Sequence, residues 1–247
     1  MRINYKLKRL FVRQPLALNE AIKIEGAQAA YLIHVLRMQE GAEILLFNGQ
    51  DGEWLARLTT IKKKFVVIQL IHQERLQTTH SNLIYCFAPL KNARLDYMVQ
   101  KAVEMGVSML QPVITHHTQV TRINMERMKA NVIEASEQCG ILSVPECVSA
   151  ISLAELLAHW NEARPLFFCD EAHKPHNPLH LLKKYEMTAS GVLIGPEGGF
   201  SEEERNLLKK HPFVIPISLG PRVLRADTAA VAALALLNVT VGDWSIN

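Results

Sequence analysis

The stretch that decides the fold is Gly191–Asn238, GVLIGPEGGFSEEERNLLKKHPFVIPISLGPRVLRADTAAVAALALLN. It reads as an apolar strand (Val192, Leu193, Ile194) that breaks into a Gly-rich loop, a capped helix, a second strand, a second loop and an Ala-rich helix. Two strand-to-loop exits this close in sequence converge on one crevice, because ligands in open α/β sheets bind beyond the carboxyl ends of the strands. Gly195, Gly198 and Gly199 let backbone come close to a bound molecule. The next residues argue against a phosphate. Ser201 and Glu204 form a capping box that occupies backbone donors at the helix start, and Glu202 and Glu203 add negative charge in the same turn. Neither Gly-x-x-x-x-Gly-Lys-Ser/Thr nor Gly-x-Gly-x-x-Gly occurs. The loop suits a neutral or cationic ligand read by backbone groups.

The second loop, Leu219–Thr228, has the opposite character. Arg222 and Arg225 are suited to an anion or a base edge, while Asp227 or Thr228 is placed to cap the helix that follows. That helix carries no charge from Ala229 to Leu237, which predicts burial on every side.

The two motifs GPEGGFSEEE (195–204) and SLGPRVLRADTAA (218–230) together resemble the signature of the ribosomal RNA small-subunit methyltransferase E family, a SPOUT-class family of S-adenosylmethionine-dependent methyltransferases. The resemblance implies an α/β fold: a small PUA-like β-barrel at the N-terminus, then a SPOUT-type α/β domain with a C-terminal trefoil knot. It implies methylation of N3 of one uridine in small-subunit (16S) ribosomal RNA by a homodimer. It also implies that S-adenosylmethionine contacts Ile194, Gly195, Pro196, Glu197, Gly198 and Gly199 in the first loop. In the second loop the implied contacts are Ile217, Ser218, Leu219 and Gly220, then Val223, Leu224, Arg225 and Ala226, with the adenine against Leu219 and Leu224.

Methylating that nitrogen requires loss of the imide proton and an in-line approach to the methyl group. Glu197 is the candidate to take the proton, and Arg225 the candidate to stabilise the developing uracil anion. Two plainer readings stay open. Glu197 also suits an acceptor for backbone N–H groups or a partner arginine, and Arg225 a phosphate anchor or an ion pair with Glu197.

The remainder of the chain fits two domains. Its 247 residues are 49% hydrophobic, enough for a substantial core. No apolar run reaches membrane-spanning length, and the basic N-terminus MRINYKLKRLFV lacks the apolar region of a signal peptide, so a cytoplasmic protein without membrane partners is expected. Cys86, Cys139, Cys147 and Cys169 have neither zinc-ligand spacing nor a disulfide pattern, and no metal is expected. A formal charge of +3 permits an RNA partner without demonstrating one.

In residues 1–73, strands are expected at Glu43–Phe47, Trp54–Leu58 and Phe65–Leu70, with the only helix at Ala27–Leu36. This is the PUA-like, RNA-binding β-barrel. His34-Val35-Leu36-Arg37 resembles a family segment that implies RNA contact for Arg37, although a solvated helix end accounts for it equally. Lys62, Lys63 and Lys64 read as a hairpin tip. With Arg2 and Arg9, and with Lys6, Lys8 and Arg13 beside them, they make a phosphate-tracking face. Arg222 is the RNA-binding candidate outside this domain.

The polar segment 73–82 marks the boundary, and residues 74–247 form the methyltransferase domain. Here strands (Leu83–Ala88, Leu110–Ile114, Leu166–Cys169) alternate with helices (Arg94–Met105, Asn124–Cys139, Ser152 to about Trp160, Pro178–Tyr185), the pattern of a mainly parallel sheet. The stretch Lys91–Val107 resembles the family's first helix and Glu134–Gly140 its second. Two positions depart from the family pattern: Ile141, and His116-His117, which an extended backbone would point to opposite faces and so away from a shared metal. His173–His176 reads as an exposed loop. The competing functions are a nucleotide hydrolase or transferase using the Gly-rich loop, and an RNA-binding module without catalysis.

Overall fold

The computed structural model describes residues 6–79, 81–120, 122–170, 177–185, 188–240, 242 and 244. Arg2 and the His173–His176 loop lie outside them. The chain divides into two compact units, residues 1–79 with 136–143, and residues 80–135 with 144–247.

In the first unit, strands β1 (Arg9–Phe11), β2 (Ala21–Glu25), β3 (Glu43–Phe47), β4 (Glu53–Lys62) and β5 (Phe65–Arg75) pair in the order β1-β3-β4-β5-β2. Only β1 and β3 run parallel; the other pairs are antiparallel. Alternation sets the faces: Ile22 and Ile24 of β2, and Val66, Ile68 and Leu70 of β5, enter one core with Leu10, Ile44, Leu46, Ala56 and Leu58. Register shifts along β4 curl the sheet round that core. Among the described residues the pairings run from β1 to β2 as the two ends of a mixed sheet. Strand β1 has three residues, too few for a pattern to show, whereas β2 alternates buried Ile22 and Ile24 with exposed Ala21, Lys23 and Glu25, a period-two signal that the expectation for residues 1–73 passed over.

The helix expected at 27–36 is instead α1 (Gly26–Ala30) followed by a π-helical turn, Tyr31–Val35, with Leu36 N–H donating to Tyr31 O at 2.9 Å. It closes on Arg37, whose φ of +51° lets Met38 N–H reach Leu32 O at 3.0 Å. That left-handed closing position ordinarily belongs to Gly or Asn.

The second unit carries β6 (Leu83–Phe87), α2 (Asn92–Glu104), β7 (Met109–Ile114), α3 (Met125–Cys139), β8 (Glu146–Cys147), β9 (Ile151–Ser152) and α4 (Leu153–His159). Then come β10 (Leu166–Cys169), α5 (Leu179–Leu182), β11 (Ser190–Ile194), α6 (Glu202–Lys209), β12 (Val214–Ile217) and α7 (Ala226–Thr240). The sheet order is β12-β10-β11-β6-β7-β8, with β9 beside β7, and every pair is parallel. The last turn of α3 and the loop after it group with the first unit.

One face of this sheet packs Cys86, Leu193 and Phe168 under Leu156, Leu157 and Leu208 of α4 and α6. On β6, Tyr85 points the other way, and its hydroxyl donates to Met98 Sδ of α2 at 2.8 Å. Both expected capping boxes form, Ser152 with Glu155 and Ser201 with Glu204.

Helix α7 corrects two expectations. It begins at Ala226, with Arg225 O accepting the first helical bond from Ala229 N–H at 2.7 Å, so Asp227 and Thr228 lie inside the first turn instead of capping it. Nor is it covered all round. Ala230, Ala233, Leu234 and Leu237 are buried, whereas Val231 and Ala235 are half-buried and Val239 is 54% exposed. Its far end is fixed by Asn238, which donates to Met105 O at 2.7 Å and so locks α7 to the end of α2. No helix among the described residues is long and apolar enough to cross a membrane.

Candidate active site

Because all the strands of the second unit are parallel, their carboxyl ends share one edge. Cys169 sits opposite both Ile194 and Ile217, and Ile194 opposite Phe87, so β10, β11, β12 and β6 end flush. The loops that leave them meet around a pocket of about 850 Å³, within the roughly 300–1,000 Å³ usual for small-molecule sites.

The first loop leaves β11. Gly195 lies against Phe200, whose ring would stand 2.5 Å from any added Cβ. Gly199 takes φ +68°. The second loop leaves β12, where Gly220 has φ +104° and donates its N–H to the buried Ser218 Oγ at 3.3 Å. Leu219 and Leu224 give the pocket apolar walls, and Val223, 88% exposed, stands at its rim.

The structure brings together all the expected cofactor contacts except one. Ile194, Gly195, Pro196, Glu197, Gly198 and Gly199 line the pocket, as do Ser218, Leu219, Gly220, Val223, Leu224, Arg225 and Ala226. Ile217 does not, since it is fully buried in β12 and offers only its carbonyl, which accepts from Asp170 N–H at 3.3 Å. Arg222, assigned to RNA, lines the same pocket.

Sequence reasoning missed Arg94, Cys169 and Asp170, which also line it. Cys169 and Asp170 stand at the end of β10, the strand between the two loop-bearing strands, and that strand order was the missing signal. Asp170 is buried and takes a bond from Arg205 Nε at 3.2 Å. Burial pushes the Cys169 thiol well above its ordinary range, so it enters the pocket as a neutral group.

Arg94, on the first turn of α2, joins the two loops. Its Nη1 pairs with Glu197 Oε1, and its Nε donates to Asp227 Oδ2 at 3.2 Å. The partner of Glu197 is therefore Arg94 and not Arg225, which is exposed. Burial pushes the Asp227 carboxyl up, but the Arg94 hydrogen bond, the Thr228 N–H at 2.8 Å and the guanidinium charge outweigh it and leave the group below the usual carboxylate range. Arg94 Nη2 is shielded from solvent and has no acceptor among the described protein atoms.

His116 and His117 follow β7 in a turn, which brings their rings to 4.7 Å in an edge-on contact in place of opposite faces. His117 Nδ1 lies 3.0 Å from Gly199 O, and His116 N–H donates to Glu204 Oε1 at 2.7 Å. The pair braces the Gly-rich loop from outside. No group of three or more metal-ligating side chains occurs among the described residues.

The first-unit candidates separate. Lys63 and Lys64 form the exposed β4–β5 turn, next to exposed Lys62 at the end of β4, and Arg37 is exposed beyond the π-turn. Arg9 is not on that surface: its side chain is 4% exposed and donates to Glu53 at 2.9 Å.

A family model for an RNA methyltransferase domain matches residues 77–238, and one for an RNA methyltransferase PUA domain matches residues 24–71. The chain is 32% identical to the ribosomal RNA small subunit methyltransferase E of Rickettsia conorii, over 93% of this chain and 94% of that one. It belongs to the ribosomal RNA small-subunit methyltransferase E family. The member from Buchnera aphidicola of Acyrthosiphon pisum is 29% identical over 98% of this chain and 96% of its own. Two solved structures extend the likeness to the fold. A Legionella pneumophila methyltransferase in complex with S-adenosylmethionine is 30% identical with a TM-score of 0.84, and the family member of Neisseria gonorrhoeae, bound to S-adenosylmethionine, is 27% identical with the same score. Each covers 96% of this chain and 99% of its own.

Proposed function

We propose that the protein transfers the methyl group of S-adenosylmethionine to N3 of one uridine in small-subunit ribosomal RNA. The observation that carries the reading is the pocket at the carboxyl edge of β10, β11 and β12, walled by the two loops whose sequence is the family signature. The pocket fits that cofactor: it is large enough, it has apolar walls for an adenine at Leu219 and Leu224, and its glycines leave backbone free to face a ligand. The acidic start of α6, with its donors already used by Ser201 and Glu204, disfavours a polyphosphate in its place.

Bound S-adenosylmethionine supplies a methyl group on a cationic sulfur, which leaves as a neutral thioether. The protein's share is to hold the target base in line and to manage one proton. Glu197, ionised and paired with Arg94, receives the proton from N3. Arg225 and Arg222 stand on the second loop, where an exposed guanidinium suits an RNA phosphate, the anchor role that the sequence left open. In the first unit, the PUA-like domain, Arg37 and Lys62–Lys64 supply the further phosphate contacts. The C-terminal segment threads as a trefoil knot, an inference from family resemblance, and work on ribosomal RNA places the protein in the cytoplasm.

Calorimetric titration tests the cofactor directly. Saturable binding of S-adenosylmethionine is expected, with none for ATP and magnesium. Gly220→Val, which puts a β-branched residue at φ +104°, is expected to weaken it at least tenfold. Tight ATP binding with no response to S-adenosylmethionine would replace this reading with a nucleotide-processing one.

The chain acts as a homodimer, and the half-covered face of α7, Val231, Ala235 and Val239 at i, i+4 and i+8, is the surface it buries. Light scattering is expected to give twice the chain mass for the wild type and a single chain mass for Val239→Glu. A monomeric wild type at micromolar concentration refutes the dimer.

A further inference from the structure

We infer that Arg94 is a catalytic residue: its Nη2 donates to a carbonyl oxygen of the target base, and its charge passes to that base as Glu197 takes the proton. The inference rests on the uridine reading above and goes beyond it in naming the group that meets the base. Two of the guanidinium's three faces are occupied, Nη1 by Glu197 on the first loop and Nε by Asp227 on α7. The third, Nη2, has no acceptor among the described residues, and the side chain that carries it lines the pocket and is 34% exposed. A ligand that covers a donor without giving it a partner pays the cost of desolvating it, so a ligand that fills this pocket is favoured when it supplies an acceptor.

Charge selects among acceptors. Arg94 carries one positive charge against the two carboxylates of Glu197 and Asp227, so the cluster is net negative before reaction. A permanent anion, such as the carboxylate of the cofactor's methionine moiety, is opposed there. A carbonyl oxygen, neutral at the start, is not.

The proton step then changes the balance. The N3–H bond breaks, an O–H bond forms on Glu197, and the electron pair stays on the base, spread over N3 and its flanking carbonyl oxygens. Glu197 becomes neutral at that moment and no longer claims the charge of Arg94, which faces the new negative charge on the base at no cost in rearrangement. The N3–methyl bond forms as the sulfur–methyl bond breaks, the sulfur keeping that electron pair, and Glu197 returns its proton to water. Arg225 is exposed, and water screens its charge from the base.

The test uses the full chain, with small ribosomal subunits that lack the modification as substrate. Arg94→Ala is expected to bind S-adenosylmethionine within about threefold of wild type by calorimetry, while single-turnover methylation falls by about 100-fold or more. Millimolar guanidinium ion is expected to restore part of the rate, an effect that a merely structural arginine would not show. Should the alanine variant fail to fold, Arg94→Lys keeps one ion pair without the planar fork, and about a tenfold loss of rate is expected with cofactor binding retained. A tenfold or greater loss of cofactor affinity with an unchanged rate at saturation assigns Nη2 to the cofactor and overturns the inference. So does a lysine variant of full activity, or a folded alanine variant with no guanidinium rescue. Product analysis separates the two levels: methyl found by wild type on an atom other than uridine N3 overturns the underlying function, whatever Arg94 does.

Discussion

Replacing Glu53 with alanine is expected to destabilise the first unit by about 3–5 kcal/mol, the usual result of removing one partner from a buried ion pair. Glu53 lies on β4 with its side chain 2% exposed, between Arg9 Nε at 2.9 Å and Arg75, which binds both of its oxygens at 2.8 and 2.9 Å. The Arg75 Nη2 also reaches Gly140 O at 2.9 Å. Without Glu53, Arg9, itself 4% exposed, would stay buried beside a second cation. Glu53→Gln keeps the shape but not the charge and is expected to fall between wild type and alanine. The triple replacement Arg9→Met, Glu53→Leu and Arg75→Met, which removes these three charges together, is expected to recover most of the loss. Amide hydrogen exchange in β3, β4 and β5 reads the effect locally. A loss under about 1 kcal/mol for alanine would show that water reaches the site and that the triad is an ordinary surface network.

Gly195→Ala is expected to abolish measurable S-adenosylmethionine binding while leaving the protein folded. Its Cβ would stand 2.5, 2.9 and 3.1 Å from three atoms of the Phe200 ring. The ring has nowhere to retreat, being 2% exposed and packed edge-on against Phe168 at 4.9 Å. The strain falls on the loop, at a cost of about 1–3 kcal/mol for overpacking, and shifts the backbone that faces the ligand. An affinity loss of at least 100-fold, about 2.7 kcal/mol, is the expected calorimetric result. Gly220→Ala is the comparison, because there an added Cβ meets nothing within 4 Å and the cost comes only from φ +104°. An alanine at 195 that binds as tightly as wild type would show that the loop yields freely and would take Gly195 out of the site.

Much of the second unit was legible because local chemistry wrote it. Apolar runs fixed β10 and β11, and the capping boxes at Ser152 and Ser201 fixed where α4 and α6 begin. The glycines of the two loops marked where backbone can face a ligand, and thirteen of the fourteen residues proposed from those loops line the pocket, the exception being Ile217, whose carbonyl is taken by Asp170 N–H. The first unit was harder to read. A three-residue strand carries too short a pattern to detect, and the π-turn before Arg37 depends on which hydrogen bonds close, a choice that residue spacing does not encode.

What the sequence determined by itself is the alternation of the main strands and helices in the second unit, the family signature, and the edge at which a ligand binds, since parallel strands with short exits have only one such edge. What only the tertiary structure decided is who partners whom. Arg9 looked like an RNA contact until Glu53, 44 residues away, placed it in the interior. His117 is exposed, as a surface residue is, yet the turn after β7 sets its ring on Gly199, 82 residues on. Arg94 looked like one polar residue on a helix until strand order placed it against Asp227, 133 residues later, and Glu197 between them in the chain. Periodicity tells which face a side chain takes. The charge it meets there depends on which distant strand lies alongside, and that is fixed by packing the whole sheet.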